Sequence, residues 1–308
     1  MGILILGSAN EDRIFSMPEA PSPDETQTAL RYSRAPGGLG VNQAVAAARQ
    51  DVTVIYVGCV GEDEAGAAIL DRLTTEGVDV TCVEVLESEP TGIAFINSYP
   101  GGAHSIVVAK NANALLSPHS IDRGAARMTD QSTVLLTHGE TPDNLLRHAS
   151  TVASRKGFRV VISLDARTRL PQQVAAVCDP LIVNRTEAAW LTGTEIRSVA
   201  DALNCSQRLL EETRSVVITL GGEGVVFSCL DHTEYLPASN FGKVVDVSGA
   251  GDAFAASLCV SLQSGNTLFD AVHYANDAAA LMVCRPGVLD AFPTTAELRT
   301  AKRQRPST

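Results

Sequence analysis

Asp246-Val247-Ser248-Gly249-Ala250-Gly251-Asp252-Ala253-Phe254 is the stretch on which the reading of this chain turns. The run Lys243 to Asp246, with its paired valines, predicts the end of a strand. The two glycines then predict a tight turn, and the Ala-rich run Ala253 to Leu262 a helix. A strand that passes into a helix across glycines is the joint of an α/β sheet. Gly249 and Gly251 let the backbone turn with its N–H groups facing outward, and the helix N-terminus adds partial positive charge there. Such a joint suits an anion, above all a phosphoryl group whose charge grows during transfer. Asp252 is badly placed there to hold phosphate, because like charges repel, but well placed to take a proton from a hydroxyl attacking beside it. A lone Asp at such a place is more often an ordinary acid of a first helical turn; within this glycine run the proton-accepting reading is preferred.

Outward from this joint, short apolar runs alternate with amphipathic segments. Ile3 to Leu6, Val52 to Val57, Val134 to Leu136, Arg159 to Leu164, Leu181 to Val183 and Val216 to Leu220 read as strands buried on both faces. Helices are expected between them: Glu62 to Glu76 closes at Gly77, and Ser117-Pro118 supplies an N-cap followed by proline at the first helical position. The fold expected is a doubly wound, mostly parallel α/β sheet flanked by helices, forming one domain over residues 1–308. Two regions lack the helix of a βαβ crossover. Glu11 to Ala35 is polar with no helical period, and Thr91 to Ala109 reads as a hairpin about Pro100-Gly101-Gly102. Together they predict a small antiparallel sheet standing off the body, either a flap over a ligand or a structural edge. The polar, basic tail Ala301 to Thr308 is expected to fray.

The chain has 308 residues, 45% hydrophobic and 19% charged, with a formal net charge of -11. That acidity argues against a nucleic-acid partner, which calls for a basic face, while leaving room for a small anion held by backbone amides. The apolar start is too short for a signal peptide and has no basic leader, and no apolar run reaches the length of a membrane span, so a soluble protein is expected. Seven cysteines without ligand spacing fit reduced thiols in the cytoplasm.

Three further motifs stand out, the first and last of them directly after apolar runs. Asn184-Arg185-Thr186-Glu187 offers an amide and a carboxylate that suit a hydrated Mg²⁺, or simply a capped helix start. Gly37-Gly38-Leu39-Gly40-Val41-Asn42, before an Ala-rich helix Gln43 to Arg49, lets a ligand approach backbone; Asn42 can meet sugar hydroxyls or be only an N-cap. Thr219-Leu220-Gly221-Gly222-Glu223-Gly224 frames a nucleotide or is a plain turn before a strand Val225 to Phe227. No GxxxxGK[ST] loop, no HRD or DFG signature and no GxGxxG fingerprint occurs.

In this order, with Gly7-Ser8-Ala9-Asn10-Glu11-Asp12 ahead of them, the motifs resemble the ribokinase-like, phosphofructokinase-B-type sugar and nucleoside kinases, from the first strand to about Pro293. Asn42-Gln43-Ala44-Val45-Ala46-Ala47-Ala48, Thr91-Gly92 and Asn113-Ala114-Leu115-Leu116-Ser117-Pro118 look most like the ribokinase branch. The resemblance implies ATP-dependent phosphorylation of the primary hydroxyl of a small sugar, most of all ribose, under a β-sheet lid that often pairs two subunits. It implies sugar contacts at Asn10, Asp12, Gly38, Leu39, Gly40, Val41, Asn42 and Glu140, with Asp252 as base beside an anion hole at Gly249, Ala250 and Gly251. Asn184 then meets ATP, and Glu187 meets Mg²⁺ through water. Thr219, Gly221, Gly222, Gly224 and Asn276 line the nucleotide. Asp246 and Ser248, with backbone at Met282, Arg285 and Gly287 and the position of Ala291, match a potassium site.

Two departures bear on substrate and ion. Leu39 replaces a lysine usual in the glycine run, and Ala291 replaces a serine near the potassium position. An apolar wall at Leu39 keeps a nucleoside, deoxyribose or ketose kinase of the same fold in view, beside a silent sugar-binding sensor. A nicotinamide oxidoreductase lacks its glycine fingerprint.

Overall fold

The computed structural model describes residues 2–304 apart from 23, 101–103, 166–167 and 231. The first half runs β1 (Ile3–Leu6), β2 (Asn10–Ser16), β3 (Arg31–Gly37), α1 (Leu39–Ala48), β4 (Val54–Val57), β5 (Cys59–Gly61), α2 (Glu64–Thr75), β6 (Glu84–Leu86), β7 (Gly92–Ser98), β8 (His104–Ala109) and α3 (Pro118–Arg127). There follow β9 (Val134–His138), α4 (Asp143–Lys156), β10 (Arg159–Ser163), α5 (Gln172–Ala175), β11 (Cys178–Asn184), α6 (Arg185–Thr192) and α7 (Val199–Leu210). The chain closes with β12 (Ser215–Thr219), β13 (Val225–Cys229), β14 (His232–Leu236), α8 (Ala250–Gln263), α9 (Leu268–Met282) and α10 (Thr295–Gln304).

Eight strands form the central sheet in the order β14-β13-β12-β11-β10-β9-β1-β4. It is parallel from β12 to β4, and only the β12–β13 and β13–β14 pairs are antiparallel. Alternate residues of β1 enter opposite faces, as the pleat requires. Ile3 and Ile5 pack with the residues of α1, α8 and α9, while Leu4 and Leu6 pack with those of α3, α4 and α7. Burial on both faces is why these strands read as continuous apolar runs. Because the strands are parallel, Gly7, His138, Ser163, Asn184 and Thr219 all come to one edge of the sheet.

The second sheet has the order β3-β2-β7-β8 and grows from that edge: β2 follows β1 after three residues, and β3 leads into α1. It is not the wholly antiparallel sheet expected, since its central pair, β2–β7, is parallel. The two regions supply one hairpin each, and the hairpins join side by side. The expected turn at Gly101-Gly102 lies outside the described residues.

Two element ends differ from expectation. Lys243 to Asp246 is not a strand: it runs past the end of α9, where the amides of Val245 and Asp246 donate to the Val283 carbonyl. Val244 and Val245 remain more than half exposed, so the β-branched pair finds no partner strand to complete a ladder. The glycine run is likewise partly helical. α1 starts at Leu39 with Gly38 as N-cap, which puts Asn42 inside the first turns and removes its reading as a cap. A side chain on Gly40 would meet the Gly7 carbonyl carbon at 2.6 Å and its Cα at 2.7 Å, so glycine there is what lets α1 lie against the β1 turn. α8 also begins earlier than expected, at Ala250. The tail is helical to Gln304, and residues beyond are not described. All seven cysteines are free, five of them buried, and no described helix is long and apolar enough to cross a membrane.

Candidate active site

Asp252 stands in the first turn of α8, behind Gly249 as N-cap. Gly249 has φ 78°, and a Cβ on it would meet Val288 Cγ1 at 2.7 Å and Met282 Cε at 2.8 Å, so both conformation and space demand glycine. The Ala250 amide donates to the Val247 carbonyl, whereas the Gly251 and Asp252 amides belong to the open first turn of the helix. The Asp252 side chain is buried but lies against α1, not in the apolar core. Its Oδ2 accepts from Asn42 Nδ2 at 2.9 Å and its Oδ1 from Gln43 Nε2 at 3.1 Å. A carboxylate offers about four lone-pair sites, so two amides leave room for an incoming hydroxyl. Burial is the main force raising the Asp252 pKa, to about 7; the Asn42 and Gln43 bonds oppose it, and the charges of Asp165 and Asp12 add to it.

Asp12 leans over Gly37, its carboxylate occupying the space a Cβ on that glycine would need. Burial raises its pKa to about 7. Asn10 is buried and turned to the chain itself: Oδ1 accepts from Asn113 Nδ2 at 2.9 Å, while Asn113 also bonds both backbone groups of Ala9. Glu140, two residues past β9, is half-buried, and burial with the charge of Asp165 raises its pKa. Leu39 is half-buried at the first position of α1, beside Gly38, Gly40 and Val41.

Three residues not singled out from the sequence belong to this cleft. Gln43 grips the Asp252 carboxylate. His138, at the end of β9, is 1% exposed, and its Nε2 accepts from the Ser8 amide at 2.9 Å. Asp165, two residues past β10, accepts from the Glu140 amide at 3.1 Å and contributes charge that raises Glu140, Glu187 and Asp252 alike. His138, Glu140 and Asp165 have candidate ligand atoms within 4.8 Å of one another. The Ser8 bond takes the Nε2 lone pair, so a neutral His138 carries its hydrogen on Nδ1 and has no lone pair there for a metal. Burial holds its pKa down, to about 4, which keeps it neutral.

On the far side of the edge, Asn184 and Glu187 form a reciprocal capping box at the start of α6. Glu187 Oε2 accepts from the Asn184 amide and Oε1 from its Nδ2, each at 2.7 Å. Burial nevertheless raises Glu187 to about 7. Thr219 closes β12; Gly221 to Glu223 form an exposed 3₁₀ turn, pinned by an Arg185–Glu223 ion pair and by Tyr235 donating to the Glu223 carbonyl. Gly224 is buried beyond that turn. Asn276 donates to the Pro237 carbonyl at 2.9 Å, tying α9 to the loop after β14. Asp246 bridges two loops: Oδ1 accepts from the Ser248 amide at 2.9 Å and Oδ2 from the Gly287 amide at 3.2 Å. The Met282 carbonyl accepts from the Arg285 amide, and Ala291 is buried and offers no side-chain oxygen.

The family model described as pfkB family carbohydrate kinase matches residues 2–295. The chain belongs to the pfkB family of carbohydrate kinases. Among relatives of this pfkB kinase, the ribokinase of Haemophilus influenzae is 32% identical over 296 residues, covering 96% of each chain. The deoxyribokinase of Salmonella typhi is 28% identical, again over 96% of each. The fold is that of the Arabidopsis thaliana ribokinase complexed with ribose and ATP, at a TM-score of 0.89, 24% identity and 99% of both chains. Family membership leaves no place for the nicotinamide oxidoreductase considered above.

Proposed function

We propose that this pfkB kinase transfers the γ-phosphoryl group of ATP to the primary hydroxyl of a small sugar, ribose before others, with Asp252 as the base. The observation that carries the reading is the seat of Asp252: a carboxylate in the first turn of α8, joined to Asn42 of α1. The sugar lies against Asp12, Asn42 and Glu140, under β2, β3, β7 and β8, with its primary hydroxyl at Asp252. The buried carboxylate takes the hydroxyl proton as the oxygen attacks phosphorus, and the first-turn amides meet the charge that grows on the phosphoryl oxygens. The second sheet keeps water from competing with the sugar. ATP as donor is supported by the family and by the Arabidopsis complex.

The oxygen donors Asn184 and Glu187 suit a water-linked Mg²⁺, which neutralises phosphate charge when bound. Asp246 suits a potassium ion beside the anion loop, although Ala291 supplies no side-chain oxygen. A homodimer through the lid fits β8, where Ile106 and Val107 are more than half exposed. A cytoplasmic setting fits the free thiols.

The test is a panel of ribose, 2-deoxyribose, ketoses and nucleosides incubated with ATP and Mg²⁺, scored for the phosphorylated product and not for ADP alone. A ribose phosphate monoester supports the reading, and ADP formed without any phosphorylated acceptor defeats it. Leu39 favours a second reading, a 2-deoxyribose kinase, because an apolar side chain tolerates a missing hydroxyl better than a polar one would.

A further inference from the structure

We propose that Asp165 is a positioning residue of the acceptor site: its carboxylate holds the Gly139–Glu140 turn so that the Glu140 side chain is presented to the sugar. The proposal rests on the sugar-kinase reading above. His138 ends β9 and Asp165 lies two residues past the neighbouring parallel strand β10, whose last residue, Ser163, is in register with His138. From there Asp165 Oδ1 reaches across to accept the Glu140 amide at 3.1 Å. The fit is close. A Cβ on Gly139 would lie 3.0 Å from the Asp165 carbonyl oxygen and 3.1 Å from Oδ1, tighter than ordinary contact.

His138 lies beside the same carboxylate without a hydrogen bond to it. Since its Nε2 accepts from Ser8, its Nδ1 bears the hydrogen, and Nδ1 faces Asp165 Oδ1 at 3.8 Å with no hydrogen-bond partner among the described residues. Ser8, His138, Asp165 and Glu140 thus lie in one row of polar groups, hydrogen-bonded from Ser8 to His138 and from Glu140 to Asp165. Lys110 donates to the Glu140 carbonyl at 2.9 Å and holds the turn from the lid side.

The backbone bond needs only an acceptor, which asparagine supplies as well as aspartate. The charge is a separate matter. Asp165 faces Glu140, Glu187 and Asp252, and its charge raises all three, while Asn42, Gln43 and Asp12 are the other polar groups that act on Asp252. Position and charge can therefore be separated by substitution.

The experiment compares Asp165→Ala, Asp165→Asn and Gly139→Ala with the wild-type chain by titration calorimetry with ribose and by steady-state kinetics. Asp165→Ala and Gly139→Ala are expected to weaken ribose binding by about 10-fold or more, with the KM for ATP within about 3-fold of wild type. Asp165→Asn is expected to recover ribose binding to within about 3-fold of wild type and to move the acid limb of the kcat/KM profile to lower pH. Unchanged ribose binding in Asp165→Ala or in Gly139→Ala overturns the proposal. So does an Asp165→Asn variant as weak as Asp165→Ala, which would make the charge itself the ligand contact. Gly139→Ala does not depend on Asp165→Ala folding. Failure of the kinase reading is seen separately, as a wild-type chain that binds sugar without phosphorylating it.

Discussion

Asn42 Nδ2 lies 2.9 Å from Asp252 Oδ2, so the first turns of α1 and α8 meet through a hydrogen bond between an amide and a carboxylate. The two residues are 210 positions apart in the chain, yet they share one cleft wall. Gln43 completes the grip on the other oxygen. A proton acceptor held this way has one fixed orientation and a raised pKa, which is what a general base working near neutral pH requires.

The pH dependence follows with a definite sign. Burial raises Asp252 to about 7, and only its ionised form can accept a proton. The kcat/KM for sugar is expected to rise with pH through a limb near 7, read from a rate profile between about pH 5 and 9. An acid limb near the ordinary carboxylate value of about 4 would contradict the buried base.

Gln43→Met should move that limb upward. The Gln43 amide stabilises the charged carboxylate, opposing the effect of burial. Methionine keeps the bulk beside α8 and removes the donor. A variant with lowered Tm and an unmoved limb would assign Gln43 a packing role alone.

Stability should run opposite to activity at Asp252. Its folded pKa lies above the ordinary value, so its neutral form favours the fold below that ordinary value, and this contribution is lost as pH rises through about 7. Asp252→Asn removes the buried charge, and the oxygens of Asn42 and Gln43, unpartnered among the described residues, can turn to receive the new amide. Its Tm is expected to exceed that of wild type at pH 8 and to converge with it near pH 4. Thermal melts at the two pH values decide this.

Gly249→Ala is expected to lower kcat by about 100-fold or more while sugar binding changes little, because a displaced first turn loses its aim at the transferring group. The added methyl meets Val288 and Met282, and the residue must keep a positive φ. Equal losses in sugar binding and in kcat would mean that the whole cleft has shifted.

Leu39→Lys tests the acceptor. If the Leu39 wall sets substrate choice, the ratio of kcat/KM for ribose to that for 2-deoxyribose should rise in the variant by about 10-fold. An unchanged ratio would remove Leu39 from the sugar's surroundings.

The central sheet was legible because its strands are buried on both faces, which writes apolar runs directly into the chain. The glycine turn before Asp252 was legible because glycine is the residue that admits its φ. The end of the Lys243–Asp246 run was not, since two adjacent valines look alike whether or not a partner strand lies beside them. The start of α1 was hidden by Gly40, whose place in a helix is justified by its close neighbours Gly7 and Tyr56. Gln43, His138 and Asp165 carry no local motif: their partners, Asp252, Ser8 and Glu140, come from other elements. One signal was available for Asp165. An acid that directly follows a buried parallel strand stands at the edge where ligands of α/β sheets collect.

Single-turnover phosphorylation of ribose by wild-type and Asp252→Asn protein at pH 8, with product followed directly, tests the central claim. The seat of Asp252 predicts a rate lower by about 10²–10⁴ in the variant, about 3–5 kcal/mol of barrier, with ribose still bound. A variant that forms ribose phosphate at the wild-type rate would contradict it.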